Sequence, residues 1–223
     1  MKERDIYFHK ECERADEHIK SFQNTYKDVL EKKQNEVTAK EYSTGSKRLH
    51  RGFYCPSLIL DIIVGNCKRG KLLKHLTLQS KPNYQYGFNK DHQLIISKNY
   101  SPEFFNEIEL IEYVGNTTRS CIFQEKSTFE PIGMSECSYD DSGNILTYTY
   151  FAVGTINHRV VEFFKEEYTY SDDSFHVKRE EYYEKHYFSD EFDFFLDDNK
   201  LLKTYKSNGV EYPVSVKRKI RKY

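Results

Sequence analysis

The sequence has no tryptophan, only five prolines, ten glycines and two methionines, and it lacks a long apolar run. Its longest apolar stretch, Leu58–Val64, is interrupted by Asp61. A membrane-spanning helix needs about 20 apolar residues, so this stretch does not predict one. The scarcity of proline and glycine argues against long disordered linkers. Residues 1–20 lack the apolar core of a secretory signal, and we therefore expect a cytoplasmic protein.

The five cysteines are widely spaced and include no Cys-x-x-Cys pair. Their odd number and spacing predict reduced, structural thiols rather than a disulfide framework. Cys67 lies beside Lys68 and Arg69, whose charges favour a reactive thiolate, and Cys55 precedes a proline. A buried structural thiol is the simpler interpretation of both.

The motifs of common enzyme classes are also absent. The chain has no G-x-S-x-G, no P-loop, no G-x-G-x-x-G and no H-E-x-x-H. Its eight histidines do not have the spacing of metal ligands. The sequence therefore predicts no catalytic site, no cofactor and no metal site. A hydrolase-type enzyme whose residues converge from distant strands stays open as an alternative.

Aromatic residues are abundant, with nineteen tyrosines and sixteen phenylalanines, which is typical of β-strands. One helical pattern spans 11–36, where apolar side chains recur every three or four residues. After Gly52, short strand-like segments alternate with turn residues, and no second helix is long enough to connect parallel strands. We predict a mostly β fold, a large, open and curved antiparallel meander sheet with one N-terminal amphipathic helix. Residues 1–51 would form the helix and a polar connection, and residues 52–223 the β domain.

Three segments carry specific strand predictions. Leu58–Val64 is predicted as a central strand and Leu72–Leu78 as the strand that returns beside it. Phe175–Phe188 is predicted as one long strand that contains His176 and His186, about 33 Å apart and unable to share a metal ion. Because neither face of this strand is apolar throughout, we expect one face of the sheet to be in water.

Four related stretches consist of an aromatic or apolar residue followed by a turn rich in Asp, Asn or Ser. They are Phe88–Leu94, Tyr139–Ile145, Tyr170–His176 and Leu196–Leu202. Their irregular spacing disfavours a repeat array, and Asx side chains cap such turns by themselves. We interpret the four stretches as independent hairpins.

The second stretch resembles the tyrosine-aspartate (YD) repeat of Rhs-type bacterial proteins. Tyr139, Asp140, Gly143, Asn144 and Ile145 match the pattern of that repeat. In overall style the chain is similar to the small, β-rich immunity proteins that accompany polymorphic bacterial toxins. This resemblance implies a protein-binding role, the neutralisation of a toxin.

The net charge of −1 hides an uneven distribution. Residues 125–200 contain 7 basic and 18 acidic residues, whereas residues 1–124 and 201–223 are both net basic. Acidic groups interleaved with tyrosines suit docking to a basic protein. The predicted partner-binding residues are Asp140, Asp141, Asp172, Asp173, Glu180, Glu181, Tyr182, Tyr183, Asp197 and Asp198.

We therefore predict a non-enzymatic immunity protein, or antitoxin, that neutralises one basic toxin domain in the cytoplasm and binds no membrane. Nucleic acid is disfavoured as a partner, because the strands richest in tyrosine are also acidic and repel phosphate. The basic cluster at residues 217–222 is interpreted as a solvated tail. A structural or assembly module that uses its sheet edges to form a homo-oligomer is the remaining alternative.

Overall fold

The computed structural model describes residues 3–44, 50–62, 70–76, 81–100 and 106–214. Within them, thirteen strands form one antiparallel sheet in the order β13-β12-β11-β10-β9-β8-β7-β6-β5-β4-β3-β1-β2. From β3 onward each strand pairs with the next one along the chain, and the sheet ends at β13 and β2 without closing. The prediction of a mostly β fold with an open antiparallel meander is confirmed.

The helices of the described residues are α1 (Glu3–Phe22), α2 (Tyr26–Glu36), a 3-10 helix (Gly52–Tyr54) and α3 (Leu58–Ile62). The strands are β1 (Ala39–Thr44), β2 (Lys71–Leu72), β3 (Tyr84–Phe88), β4 (Leu94–Asn99), β5 (Glu107–Val114), β6 (Thr117–Gln124), β7 (Glu130–Tyr139), β8 (Ile145–Val153), β9 (Val160–Tyr170), β10 (Ser174–Tyr183), β11 (Tyr187–Leu196), β12 (Leu202–Ser207) and β13 (Val210–Pro213).

The N-terminal helical region consists of two helices instead of the single predicted one. α1 begins at Glu3, and a turn after Phe22 separates it from α2, with the Thr25 N–H bonded to the Phe22 carbonyl at 3.0 Å. Phe8 and the buried residues after it in α1 pack against the sheet, on what we call the helix face. None of the described helices has the length and apolar character to cross a membrane.

The opposite face of the sheet is covered by residues 50–62, which we call the strap. The predicted central strand Leu58–Val64 is wrong, because Leu58–Ile62 is the helix α3 and residues 63–69 lie outside the described part. The Ser57 hydroxyl accepts the Leu60 N–H at 3.0 Å, as expected of a residue that precedes a helix. Leu58 and Ile59 are buried against the sheet. The expectation of one face in water is therefore also wrong, since both faces are covered in part.

Two other strand predictions are corrected. The predicted strand Phe175–Phe188 is divided into β10 and β11 by a turn at residues 184–186, where the Tyr183 N–H bonds to the His186 carbonyl at 2.9 Å. Of the predicted strand Leu72–Leu78, only Leu72 is in a strand, β2; residues 73–76 are not, and residues 77–80 lie outside the described part.

Three of the four aligned turns have the same main-chain and side-chain hydrogen bonds. The first residue is Asn89, Asp140 or Asp197, and its Oδ1 accepts the N–H groups two and four residues later at 2.8–3.0 Å. The fourth residue has a positive φ of 59°, 77° or 59°, and the sheet register shifts beside each turn. This is a three-residue hairpin loop with a bulge. The remaining stretch, Tyr170–His176, differs, since its Ser171 N–H bonds directly to the Ser174 carbonyl at 2.9 Å.

Replacing Asp197 by Ala removes the acceptor of two main-chain N–H groups in the β11–β12 turn. We expect this to lower the free energy of unfolding by about 1 kcal/mol, as the loss of a helix cap does. Asp198→Ala is the matched control, because this neighbouring exposed residue belongs to the same turn and should change stability by less than about 0.5 kcal/mol. Urea denaturation measures both, and equal losses would contradict the structural role of Asp197.

Candidate partner-binding surface

The meander brings alternate turns to the same end of the sheet. Adjacent strands are antiparallel, so the turns that follow β3, β5, β7, β9 and β11 share one end, which we call the acidic end. These five turns contain seven aspartates against Lys90 and Lys200. At the opposite end, the four turns that the structure fully describes contain two acidic and three basic residues. The turns of the acidic end therefore have a formal charge of −5, from seven aspartates and two lysines, whereas the four described turns at the opposite end have +1.

The three acidic turns predicted as partner-binding lie side by side at this end. The turns at residues 140–144, 171–173 and 197–201 are each two strands apart, and two strand spacings are about 10 Å. That separation is close to the Debye length of about 8 Å at physiological salt, so neighbouring turns act together on an approaching charge.

The aspartates of these turns have different roles. Asp140 and Asp197 accept main-chain N–H groups and shape their turns. The neighbouring Asp141 is exposed and accepts one hydrogen bond, from Asn116 Nδ2 at 3.0 Å.

The other three acidic-turn aspartates, Asp172, Asp173 and Asp198, are exposed. Their carboxylates form no salt bridge with any described residue. The Nζ of Lys200 lies near them and donates to the main-chain oxygen of Asp172 at 2.6 Å. The exposed aspartates are thus available to a partner, with one lysine among them.

The predicted residues 180–183 do not lie at the acidic end. They occupy the far end of β10, next to the turn at residues 184–186. Glu180 accepts the hydroxyls of Tyr182 at 3.0 Å and Tyr187 at 2.7 Å, and Glu181 accepts that of Tyr183 at 3.2 Å. Tyr182 is only 8% exposed, because α1 covers it on the helix face. The structure therefore separates this group from the three turns.

A cleft of about 610 Å³ opens at the acidic end, between the turns that follow β3, β5 and β7. Four aromatic residues and three aspartates contribute to its lining: Tyr54, Phe88, Tyr113, Tyr139, Asp91, Asp140 and Asp141. The sequence does not predict this cleft, because its walls come from residues up to 92 positions apart, Arg51 and Gly143. Two of the segments that form its walls, Phe88–Leu94 and Tyr139–Ile145, are related in sequence because both begin with an aromatic residue and a turn rich in Asp or Asn.

The strap is attached to the sheet at the cleft by a buried ion pair. Arg51 Nε donates to Glu109 Oε1 at 2.7 Å, and Arg51 Nη2 donates to Ser135 Oγ at 2.9 Å. The side chains of Arg51 and Glu109 are only 4% and 6% exposed. Since unpaired buried charges are costly, this contact fixes the strap across β5 and β7.

A second polar anchor holds the strap over β9. Glu166 accepts the Ser57 hydroxyl and Arg179 Nη1, both at 2.7 Å, and burial raises the pKa of this carboxyl. The Leu58 N–H donates to the hydroxyl of Tyr168 at 3.2 Å. The strap is therefore held at two points on the same face of the sheet.

The described thiols lie in apolar surroundings. Burial raises the pKa of Cys12 and Cys137 to about 12 and raises that of Cys121 further. A thiol with a raised pKa is a poor nucleophile at neutral pH. Cys55 is buried in the strap, and Cys67 lies outside the described residues. Over the described ranges, no three His, Cys, Asp or Glu side chains are placed to hold a metal ion.

His50, at the start of the strap, stacks on Tyr150 with ring centroids 3.8 Å apart, and burial lowers its pKa from 6.5 to about 4. Between pH 6.5 and about 4 the His50 imidazole is protonated in the unfolded state but neutral in the folded state. The free energy of unfolding therefore decreases as the pH falls through this range. The loss should be about 3 kcal/mol, and His50→Phe, which keeps the stacked ring, should remove it. Urea denaturation at pH 7 and pH 4 measures the free energy of unfolding of both proteins. An identical loss between the two pH values would contradict the role of His50.

Comparison with known proteins identifies no relative. No family model matches the chain, and neither a curated protein nor a solved structure matches it at a significant level. The function is therefore inferred from the residues of the surface itself.

Proposed function

We propose that the chain is a protein-binding protein whose acidic end docks a basic protein. In its most concrete form, it is a cytoplasmic immunity protein that neutralises a basic toxin domain. The observation that carries this proposal is the arrangement of the exposed aspartates of three turns, Asp141, Asp172, Asp173 and Asp198, at one end of the sheet.

The charge distribution supports a protein partner. A surface with one sign of charge at one end steers an oppositely charged protein and can raise the association rate by 10-fold or more. Many toxin nucleases are basic because their substrate carries phosphates, and carboxylates at the acidic end would take the place of those phosphates. Residues 180–183 are not part of this surface, and Tyr182 belongs to the core.

The described sheet edges are less suited to assembly. The main-chain groups of Tyr212 and Val214 face β12, so those of Glu211 and Pro213 face outward. Residue 213 is a proline and has no N–H to offer another strand, and β2 at the other edge has two residues. Proline and short strands are common protections of a sheet edge. The acidic end is therefore a better candidate for the functional surface.

Reversing the charge of Asp172 and Asp173 together, to Lys, should slow association with the basic partner by about 10-fold at low salt, because it removes electrostatic steering. The partner is first isolated by affinity pull-down from the native cell, and stopped-flow mixing then measures the association rate at several salt concentrations. The complex should weaken as salt rises.

The matched control is Glu184→Lys with Asp190→Lys, two exposed residues away from the acidic end. This variant has the same change in net charge, so it separates the position of the charge from its total. If both double variants slow association equally, or if neither does, the acidic end is not the docking surface.

A further inference from the structure

The cleft at the acidic end combines aromatic walls with a carboxylate rim. Tyr54 and Phe88 pack at 5.5 Å between ring centroids on one side, and Tyr113 lines the cleft with 39% of its surface exposed. Asp91 and Asp141 are exposed at its edge. Aromatic faces and carboxylates both attract cations, and the volume of about 610 Å³ is within the range of known ligand sites.

The positive charge in the lining is already compensated. Arg51 lines the cleft, but its guanidinium is paired with Glu109 at 2.7 Å and is nearly buried. His92 of the β3–β4 turn also lines the cleft, and Lys90 of the same turn lies beside it. The cleft thus has three carboxylates, those of Asp91, Asp140 and Asp141, and one lysine, Lys90, beside it. This excess of negative charge favours a cation as the ligand.

Arg51 can also provide a hydrogen-bond donor to a ligand in the cleft. Only Nε and Nη2 of its guanidinium are bonded to described residues, although the residue is 5% exposed, and Nη1 has no partner among them. Nη1 is not one of the fully buried polar atoms that lack a partner, so it can be reached from the cleft and can donate to an acceptor there. A peptide that contains a basic residue supplies both the cation and, in its main-chain carbonyl, the acceptor.

We infer that this cleft receives a lysine or arginine side chain of the partner protein. The cation lies against the aromatic walls and near Asp91 and Asp141, and the peptide main chain provides an acceptor for Arg51. This inference rests on the proposed function, because the basic side chain belongs to the docked protein. It adds a specific pocket to a surface that otherwise acts by charge alone.

The test uses a short peptide, acetyl-Gly-Arg-Gly-amide, titrated into the isotope-labelled full chain and followed by NMR. The matched probe replaces arginine by citrulline, which has the same shape without the charge. The arginine peptide should give saturable shifts of the amide signals of Gly115, Asn116 and Gly143, which line the cleft. The citrulline peptide should bind roughly fivefold more weakly, the loss expected for one exposed ion pair.

Asp91→Asn with Asp141→Asn should reduce binding of the arginine peptide to the level of the citrulline peptide. Asp173→Asn with Asp198→Asn is the control, because it removes the same charge from the acidic end outside the cleft. Equal binding of the two peptides, shifts confined to other residues, or an equal loss in the control would each overturn the inference.

The outcome is separable from that of the proposed function. The peptide titration needs no partner protein, so its failure leaves a salt-sensitive complex at Asp172 and Asp173 untouched. Conversely, the peptide could bind in the cleft while the charge reversal at Asp172 and Asp173 leaves the association rate of the partner unchanged. That result would overturn the proposed function and keep the cleft as a binding site.

Discussion

A single sheet with apolar side chains on both faces is stable only if each face is covered, and here the two covers differ in kind. α1 and α2 cover the helix face with a regular apolar stripe. The strap covers the other face with thirteen residues and depends on buried charge. Burying an ion costs several kcal/mol unless it is paired, so the pairs Arg51–Glu109 and Glu166–Arg179 tolerate little displacement. The strap is fixed at one position on the sheet because Arg51 belongs to the first pair and the Ser57 hydroxyl donates to Glu166 of the second.

That position also shapes the acidic end. Arg51 and Tyr54 belong to the strap, and both line the cleft between the turns that follow β3, β5 and β7. The turns provide carboxylates and the strap provides an aromatic wall and a guanidinium. The surface therefore depends on the meander for its charge and on the strap for its depth.

Part of this organisation could be predicted from the sequence. The strands after Gly52 follow an alternating pattern of apolar and polar residues. Each of the three bulged turns begins with an Asn or Asp whose side chain accepts main-chain N–H groups of later residues in the turn. Such local chemistry is visible in the order of residues. The grouping of the acidic turns also follows from sequence once every connection is taken as a hairpin.

Other features depend on tertiary contacts that no local pattern shows. Leu58–Val64 is apolar enough for a central strand, and short apolar runs do not distinguish a strand from a buried helix. Ser57, which caps α3, was the available signal. The turn at residues 184–186 contains no Gly, Pro, Asn or Asp, so β10 and β11 read as one strand. Residues 180–183 therefore lie beside a turn that the sequence pattern does not show.

The meander also determines how the chain can vary in length. Each outer strand packs mainly against its neighbours, and the polar anchors of the strap end at β9 and β10. A hairpin of two strands inserted or deleted beyond β10 therefore leaves every other turn at its own end of the sheet, whereas a single strand would exchange the ends of all that follow. The fold can thus widen or narrow its charged end in whole hairpins while the cleft and its supports stay unchanged.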